Sequence, residues 1–264
     1  MAPGRNTDQH DAAGDAEFKQ SPLASGAVFL AASGRYHDAL AAFDHDTKTE
    51  GEKNRLLIVQ ALTLDRIGLF SEALACCEEV IAHEPRNPDA WFVRGLTLYY
   101  LVRTPAAIQC LDRAVSLDPS HCEAWFIRGN CMYQEEDVSG AIASYEMTLS
   151  IVPNYPKALY NRGVCLSDSG RFEEALASYD TCIRINPGVA VVHANRGVAL
   201  AGLGRYPDAL QAFESALGLD PRDLTALNNI GILLSKMGRD TEAMEYLARA
   251  RRRMDTKSMQ QKVW

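Results

Sequence analysis

Three asparagines, Asn161, Asn195 and Asn229, recur at intervals of 34 residues. A primary amide offers a carbonyl acceptor and an amide donor, the same complement as one peptide unit, so a regular row of them can hold extended backbone without reading its side chains. Asn130 and Asn228 stand at nearby positions of the same interval. The alternative is that each amide satisfies an adjacent helix or caps local backbone. A second ladder is basic. Arg94, Arg128, Arg162 and Arg196 keep the same spacing, and each is followed 18 residues later by an acid, Asp112, Glu146, Asp180 or Glu214. At the next interval Ile230 and Ala248 replace both members. This joint loss predicts structural arginine–carboxylate pairs within each repeat, and not a phosphate or nucleic-acid site.

Aromatic residues form a third set, Phe92, Tyr99, Tyr100, Phe126, Tyr133 and Tyr160, followed by the small or aliphatic Val191, Ala194, Val198, Ala201 and Gly202. Buried aromatics dominate interface energies, so apolar anchors of a partner are expected near Phe92, Phe126 and Tyr160, with the partner's backbone continuing along the asparagines. The competing reading is that the rings pack between adjacent helices. Enzymatic chemistry is not expected. The chain has no phosphate-loop motif and no H-E-x-x-H, and its seven cysteines include no C-x-x-C pair, so no catalytic residue, metal ligand or cofactor is assigned. Reduced, packed thiols are expected. His193 takes a place that tryptophan fills elsewhere, and is expected to fill core.

The elements that must position these residues follow from a 34-residue period. Seven blocks run without insertion at 20–53, 54–87, 88–121, 122–155, 156–189, 190–223 and 224–257, and their twentieth position is always alanine, from Ala39 to Ala243. Position 8 is also always small: Ala27, Ala61, Gly95, Gly129, Gly163, Gly197 and Gly231. In block 88–121, Pro88 suits a first helical turn, and Trp91, Gly95 and Leu98 share one helix face. Thr104-Pro105 starts a second helix, whose stripe is Ala107, Leu111 and Ala114 and which Asp118-Pro119 stops. Glycine between the two helices, as at Gly34, Gly68, Gly170 and Gly204, suits a tight hairpin. Small residues at positions 8 and 20 let the paired backbones approach, and a larger side chain there is expected to overpack by about 1–3 kcal/mol. A unit of this kind buries its apolar face only by stacking on neighbours.

The rest of the chain adds bounds. Residues 1–19 carry almost no large apolar side chain and are expected to be a flexible tail, while 258–264 is expected to prolong the last helix. A net charge of -7 opposes overall attraction to nucleic acid or anionic membrane. Arg249, Arg251, Arg252, Arg253, Lys257 and Lys262 make a basic C-terminal patch that suits a helix end. Met254, Met259, Val263 and Trp264 would pack under the last hairpin or offer an edge for weak self-association. No apolar run suggests a membrane span or a secretory signal, so a cytoplasmic protein is expected.

With these residues in view, the chain resembles the tetratricopeptide repeat family, whose pattern is W-x2-L-G-x2-Y, then A-x3-F, then P. Trp125, Gly129, Ala141, Tyr145 and Pro153 match it, as do Ala209, Phe213 and Pro221. The resemblance implies an all-α fold, a right-handed superhelical solenoid of helix-turn-helix repeats, with first helices lining a concave groove that grips peptides or partner helices. It implies a non-enzymatic protein-interaction scaffold; the alternatives are an accessory subunit that positions an enzyme in trans, or a structural protein assembling through its end repeats. The asparagine row is similar to the ladder in the repeat domain of O-linked N-acetylglucosamine transferases, which binds substrate backbone. A carboxylate clamp for chaperone tails is not expected, because position 5 of the blocks, from Ala24 to Asn228, never carries lysine.

Overall fold

The computed structural model describes residues 50–261 together with Gly34, Arg35 and Asp38, and side chains as far as Arg252. The expected tail 1–19, most of block 20–53 and the side chains of Met254, Met259, Val263 and Trp264 lie outside the described residues. Among these residues there are twelve helices and no strand: α1 Glu50–Arg66, α2 Phe70–His83, α3 Pro88–Tyr100, α4 Thr104–Leu117, α5 Cys122–Gln134, α6 Val138–Ile151, α7 Pro156–Asp168, α8 Phe172–Ile185, α9 Ala190–Gly202, α10 Tyr206–Leu219, α11 Leu224–Lys236 and α12 Asp240–Gln261. The chain divides into two compact units, Met1–Glu135 and Glu136–Trp264. The first holds α1 to α5 and the second α6 to α12.

Side-chain caps close the starts of α3, α5, α6 and α11. The Asn87 side chain accepts the Ala90 N–H ahead of Pro88, and Asp223 accepts from Thr225 and Ala226, satisfying N–H groups that a helix start leaves open. His121 does the same through Nδ1, 3.2 Å from the Ala124 nitrogen. First helices end in a left-handed residue. Gly68, Gly170, Gly204 and Gly238 have φ between +73° and +81°. The residue after each donates to the carbonyl five back, as Arg171 does to Leu166 at 2.8 Å. Val102 occupies the same place in α3's exit with φ +58°, although it is β-branched and 75% exposed. A side chain in this region is strained and nothing packs over this one in return. Val102→Gly is therefore expected to stabilise the chain by about 1 kcal/mol, read as a higher urea midpoint at unchanged slope.

Packing within each unit follows the period. Each helix packs on the next in sequence, and first helices also touch: α1 with α3 and α3 with α5 in the first unit, α7 with α9 and α9 with α11 in the second. Ala61, Ala73, Ala107, Ala175 and Ala209 are wholly buried. Gly95, Gly163, Gly197 and Gly231 at position 8 lie against a large side chain at position 24, and Gly95 and Gly231 also against the carbonyl at position 20. A Cβ on Gly95 would stand 2.8 Å from Leu111 Cγ and 3.3 Å from the Ala107 carbonyl. On Gly163 it would meet the Tyr179 ring, and on Gly197 the Phe213 ring. Smallness on one helix thus makes room for bulk on its partner. All seven cysteines are free, and all but Cys76 are buried. Burial pushes the Cys131 and Cys165 thiols up to about 12, so they stay protonated.

Candidate functional site

The arginine ladder is structural, but its register differs from the expected one. Arg128 Nε lies 2.6 Å from Asp112, Arg162 Nη2 3.0 Å from Glu146 and Arg196 Nε 2.6 Å from Asp180, while Arg94 Nη2 is 3.6 Å from Glu78. Each arginine therefore reaches the acid of the preceding repeat, and not the one 18 residues ahead. The guanidinium also turns to its own hairpin: Arg162 Nη1 donates to Ser178 Oγ at 2.9 Å and Arg94 Nη1 lies 3.5 Å from Cys110 Sγ. It thereby ties three helices together. Arg94 and Arg128 also lie over the Trp91 and Trp125 rings, at 5.9 and 5.6 Å. Those indoles donate to the carbonyls of Pro85 and Pro119, each at 2.9 Å. His193 makes the same bond, Nε2 to the Pro187 carbonyl at 2.9 Å, so it replaces tryptophan by reproducing its N–H.

A further ladder escaped the sequence reading. Arg171, Arg205 and Arg239 each pair with an acid three residues on, Glu174, Asp208 and Glu242, at 2.7, 2.7 and 2.6 Å, as Arg35 does with Asp38. The signal, R-x-x-[DE] directly after the hairpin glycine, was present. These pairs are solvent-exposed and draw a carboxylate to the start of each second helix, where the helix dipole favours it. The Arg171 hydrogen bond holds Glu174 below its usual range, and Arg239 does the same to Glu242.

In the first unit the aromatic set is mostly spent on packing. Phe92 is 9% exposed, its ring centroid 4.5 Å from His121 of the following hairpin, and Phe126 is 6% exposed. Both rings are thus largely covered by the protein's own side chains, which leaves little of their surface to offer a partner. Tyr99 and Tyr100 are half-buried with centroids 5.8 Å apart, and Tyr100 leans on Phe70 at 6.2 Å. Burial pushes both phenols up from their ordinary value. Asn130 is half-buried and engaged, while Tyr133 is exposed.

In the second unit the asparagines divide. Asn195 donates through Nδ2 to the Tyr160 hydroxyl at 2.9 Å, linking α9 to α7. Asn161 is half-buried and engaged as well. Asn228 and Asn229, half-buried on α11, make no side-chain hydrogen bond among the described residues. One turn on from them along α11, Ile232 is exposed at 52%, and Val191 and Val198 are exposed on α9, the helix that α11 packs against. Gly202 is small to make room for a neighbour: a Cβ there would stand 2.6 Å from the Phe172 ring. Past Ala250, Arg251 and Arg252 are exposed, and Arg249 lies over the Tyr246 ring at 5.1 Å.

No helix among the described residues is long and apolar enough to cross a membrane. Models of the tetratricopeptide repeat match residues 58–121, 94–156, 156–189 and 195–257. No curated protein matches the sequence. Among solved structures, MamA is 24% identical with a TM-score of 0.60, covering 65% of this chain and 94% of its own. YrrB, described as a repeat protein of this kind with an unusual peptide-binding site, is 19% identical with a TM-score of 0.62, covering 73% and 95%. PilF of Pseudomonas aeruginosa is 15% identical with a TM-score of 0.65, covering 76% and 92%.

Proposed function

Since this chain belongs to the tetratricopeptide repeat family, we propose that it is a non-enzymatic scaffold whose α9–α11 wall holds an extended segment of another protein. The observation that carries this reading is the pair Asn228 and Asn229, two uncommitted amides beside exposed Val191, Val198 and Ile232. A half-buried amide without a partner has hydrogen-bonding capacity to offer a backbone, and flanking aliphatics supply apolar area. α11 carries no acid or base between Leu224 and Ser235, so the segment it suits is uncharged where it meets that helix. The peptide-binding site described for YrrB is an analogy for this use of the fold. Asn195 and Asn161 then serve as a framework behind the wall, and Tyr133 offers an aromatic contact in the first unit.

A second reading, association through the last helix, is favoured by one observation. Met244 and Leu247 of α12 are exposed at 63% and 40%. In the earlier periods the same two columns are better covered: Ile142, Leu176, Tyr179 and Phe213 are buried, and Leu210, Ile108 and Leu74 are half-buried. One experiment separates the two. With a partner recovered by affinity purification and identified by mass spectrometry, changing Asn228 and Asn229 together to alanine is expected to weaken binding about tenfold, two hydrogen bonds at about 0.5–1.5 kcal/mol each. Met244→Asp is expected to leave it unchanged. The reverse pattern would discard the wall and favour the helix end.

A further inference from the structure

Asp65 lies near the end of α1, where other repeats place alanine, serine or tyrosine, and it is only 7% exposed. Its Oδ2 lies 2.8 Å from Thr97 Oγ1 on α3, and that same hydroxyl lies 2.9 Å from the Val93 carbonyl. A hydroxyl carries one hydrogen, so Thr97 cannot donate to both oxygens at once. Asp65 Oδ1 is buried with no hydrogen-bond partner. An ionised carboxylate here would have at most one donor, contested by a backbone carbonyl, for two oxygens.

The surrounding groups do not supply the missing charge. On α1 itself the neighbouring Arg66 is exposed, and its attraction is the smallest of the three influences on Asp65. On α2 the Cys77 thiol faces Asp65, and burial pushes that thiol far up, so it is neutral. On α3 the Tyr100 phenol is likewise pushed up and neutral, and Arg94 acts on Cys77 and not on Asp65. Protonation removes the contest for the Thr97 hydrogen and leaves Oδ1 a neutral carbonyl oxygen, far less costly to bury than a charged one. The carboxyl O–H donates to Thr97 Oγ1, which is then free to donate to Val93, and the charge that burial penalises is gone.

We propose that Asp65 is held as a neutral carboxylic acid in the folded chain, and that its proton latches α1 to α3, so that the α1–α2 hairpin is bound more firmly in acid than in alkali. Nothing in this depends on the peptide-holding reading, since it concerns the other unit. Desolvation, opposed by the Thr97 hydrogen bond and by Arg66, raises the group from 3.8 to about 7. A carboxyl raised on folding contributes stability that is full below its unfolded value and is lost as pH rises to the folded one. The opening equilibrium of the hairpin should therefore rise about tenfold per pH unit between about 4 and 7 and level off above 8.

The test uses the full chain in two measurements. Titration of the Asp65 carboxyl carbon by NMR should give a midpoint near neutrality; a midpoint near 4 would overturn the proposal. Hydrogen exchange of α1 and α2, corrected for the intrinsic rate at each pH, should show opening that increases by more than tenfold from pH 5 to 7. Asp65→Asn, whose amide can donate to Thr97 as the acid does, should abolish that increase. An Asn variant whose hairpin opens with pH as the parent's does would also overturn it. The titration is read on the unaltered chain, so it decides the matter even if the variant does not fold.

Discussion

Phe213→Ala is expected to destabilise the chain by about 3–5 kcal/mol, seen as a large fall in the urea midpoint. The ring is 1% exposed and lies against Gly197 of the first helix in its own hairpin, at a distance where an added Cβ would already collide at 2.8 Å. Removing it takes away buried apolar area and leaves a void that two helices, held by Ala209 and Ala216 on the same packed face, cannot close. The same geometry gives a stronger check. Gly197→Ala alone should overpack, yet in the Phe213→Ala background the new methyl enters the void, so the double variant should be more stable than Phe213→Ala alone. Additive losses would show that the two positions do not share that space.

Gly163→Ala is the second large effect, and it runs against helix propensity. Alanine within a helix is favoured over glycine by about 1 kcal/mol. Here the Cβ would stand 2.5 Å from Tyr179 Cε1 and 2.9 Å from two further ring atoms. Tyr179 is fully buried and its ring sits 6.4 Å from that of Tyr160, so it has nowhere to turn. The overpacking penalty of about 1–3 kcal/mol should outweigh the propensity gain. Gly231→Ala is the control. Its Cβ would meet Leu247 at 2.6 Å, but Leu247 is a flexible side chain, 40% exposed on α12, and can swing away. Thermal melts should therefore fall for Gly163→Ala and stay level or rise for Gly231→Ala. Equal losses would mean that burial of the facing residue does not decide the cost.

The helical repeat was legible because the period is a packing requirement. Alanine at position 20 and a small residue at position 8 are demanded wherever two helices meet closely, and no other constraint competes for those places. The site was legible only in part. The arginine ladder pairs four arginines with four acids whether the partner is taken 18 residues ahead or 16 behind, since Glu78 to Asp180 fits as well as Asp112 to Glu214. Only the stacking of one hairpin on the next distinguishes the two, and that is a long-range geometry. The asparagine row looked uniform because helix angle alone places its members together. Whether an amide is free depends on a neighbour such as Tyr160, whose hydroxyl reaches Asn195 across 35 residues. A periodic aromatic such as Phe92 or Phe126 is as useful to stacking as to binding, and the pattern alone does not say how far each ring is covered. Asp65 carried a visible signal, an acid breaking a neutral column, but its importance rests on burial that composition does not reveal.

The direction of the arginine staples makes the periods interchangeable parts. Each acid is answered by the next period's arginine, so excising residues 156–189 would bring Glu146 opposite Arg196, a couple of the same kind. Loss or duplication of whole periods along this stretch strands no charge, and a gene could shorten or lengthen the array without first inventing new joints. That tolerance stops at Glu214, where the following period offers Ile230 in place of arginine.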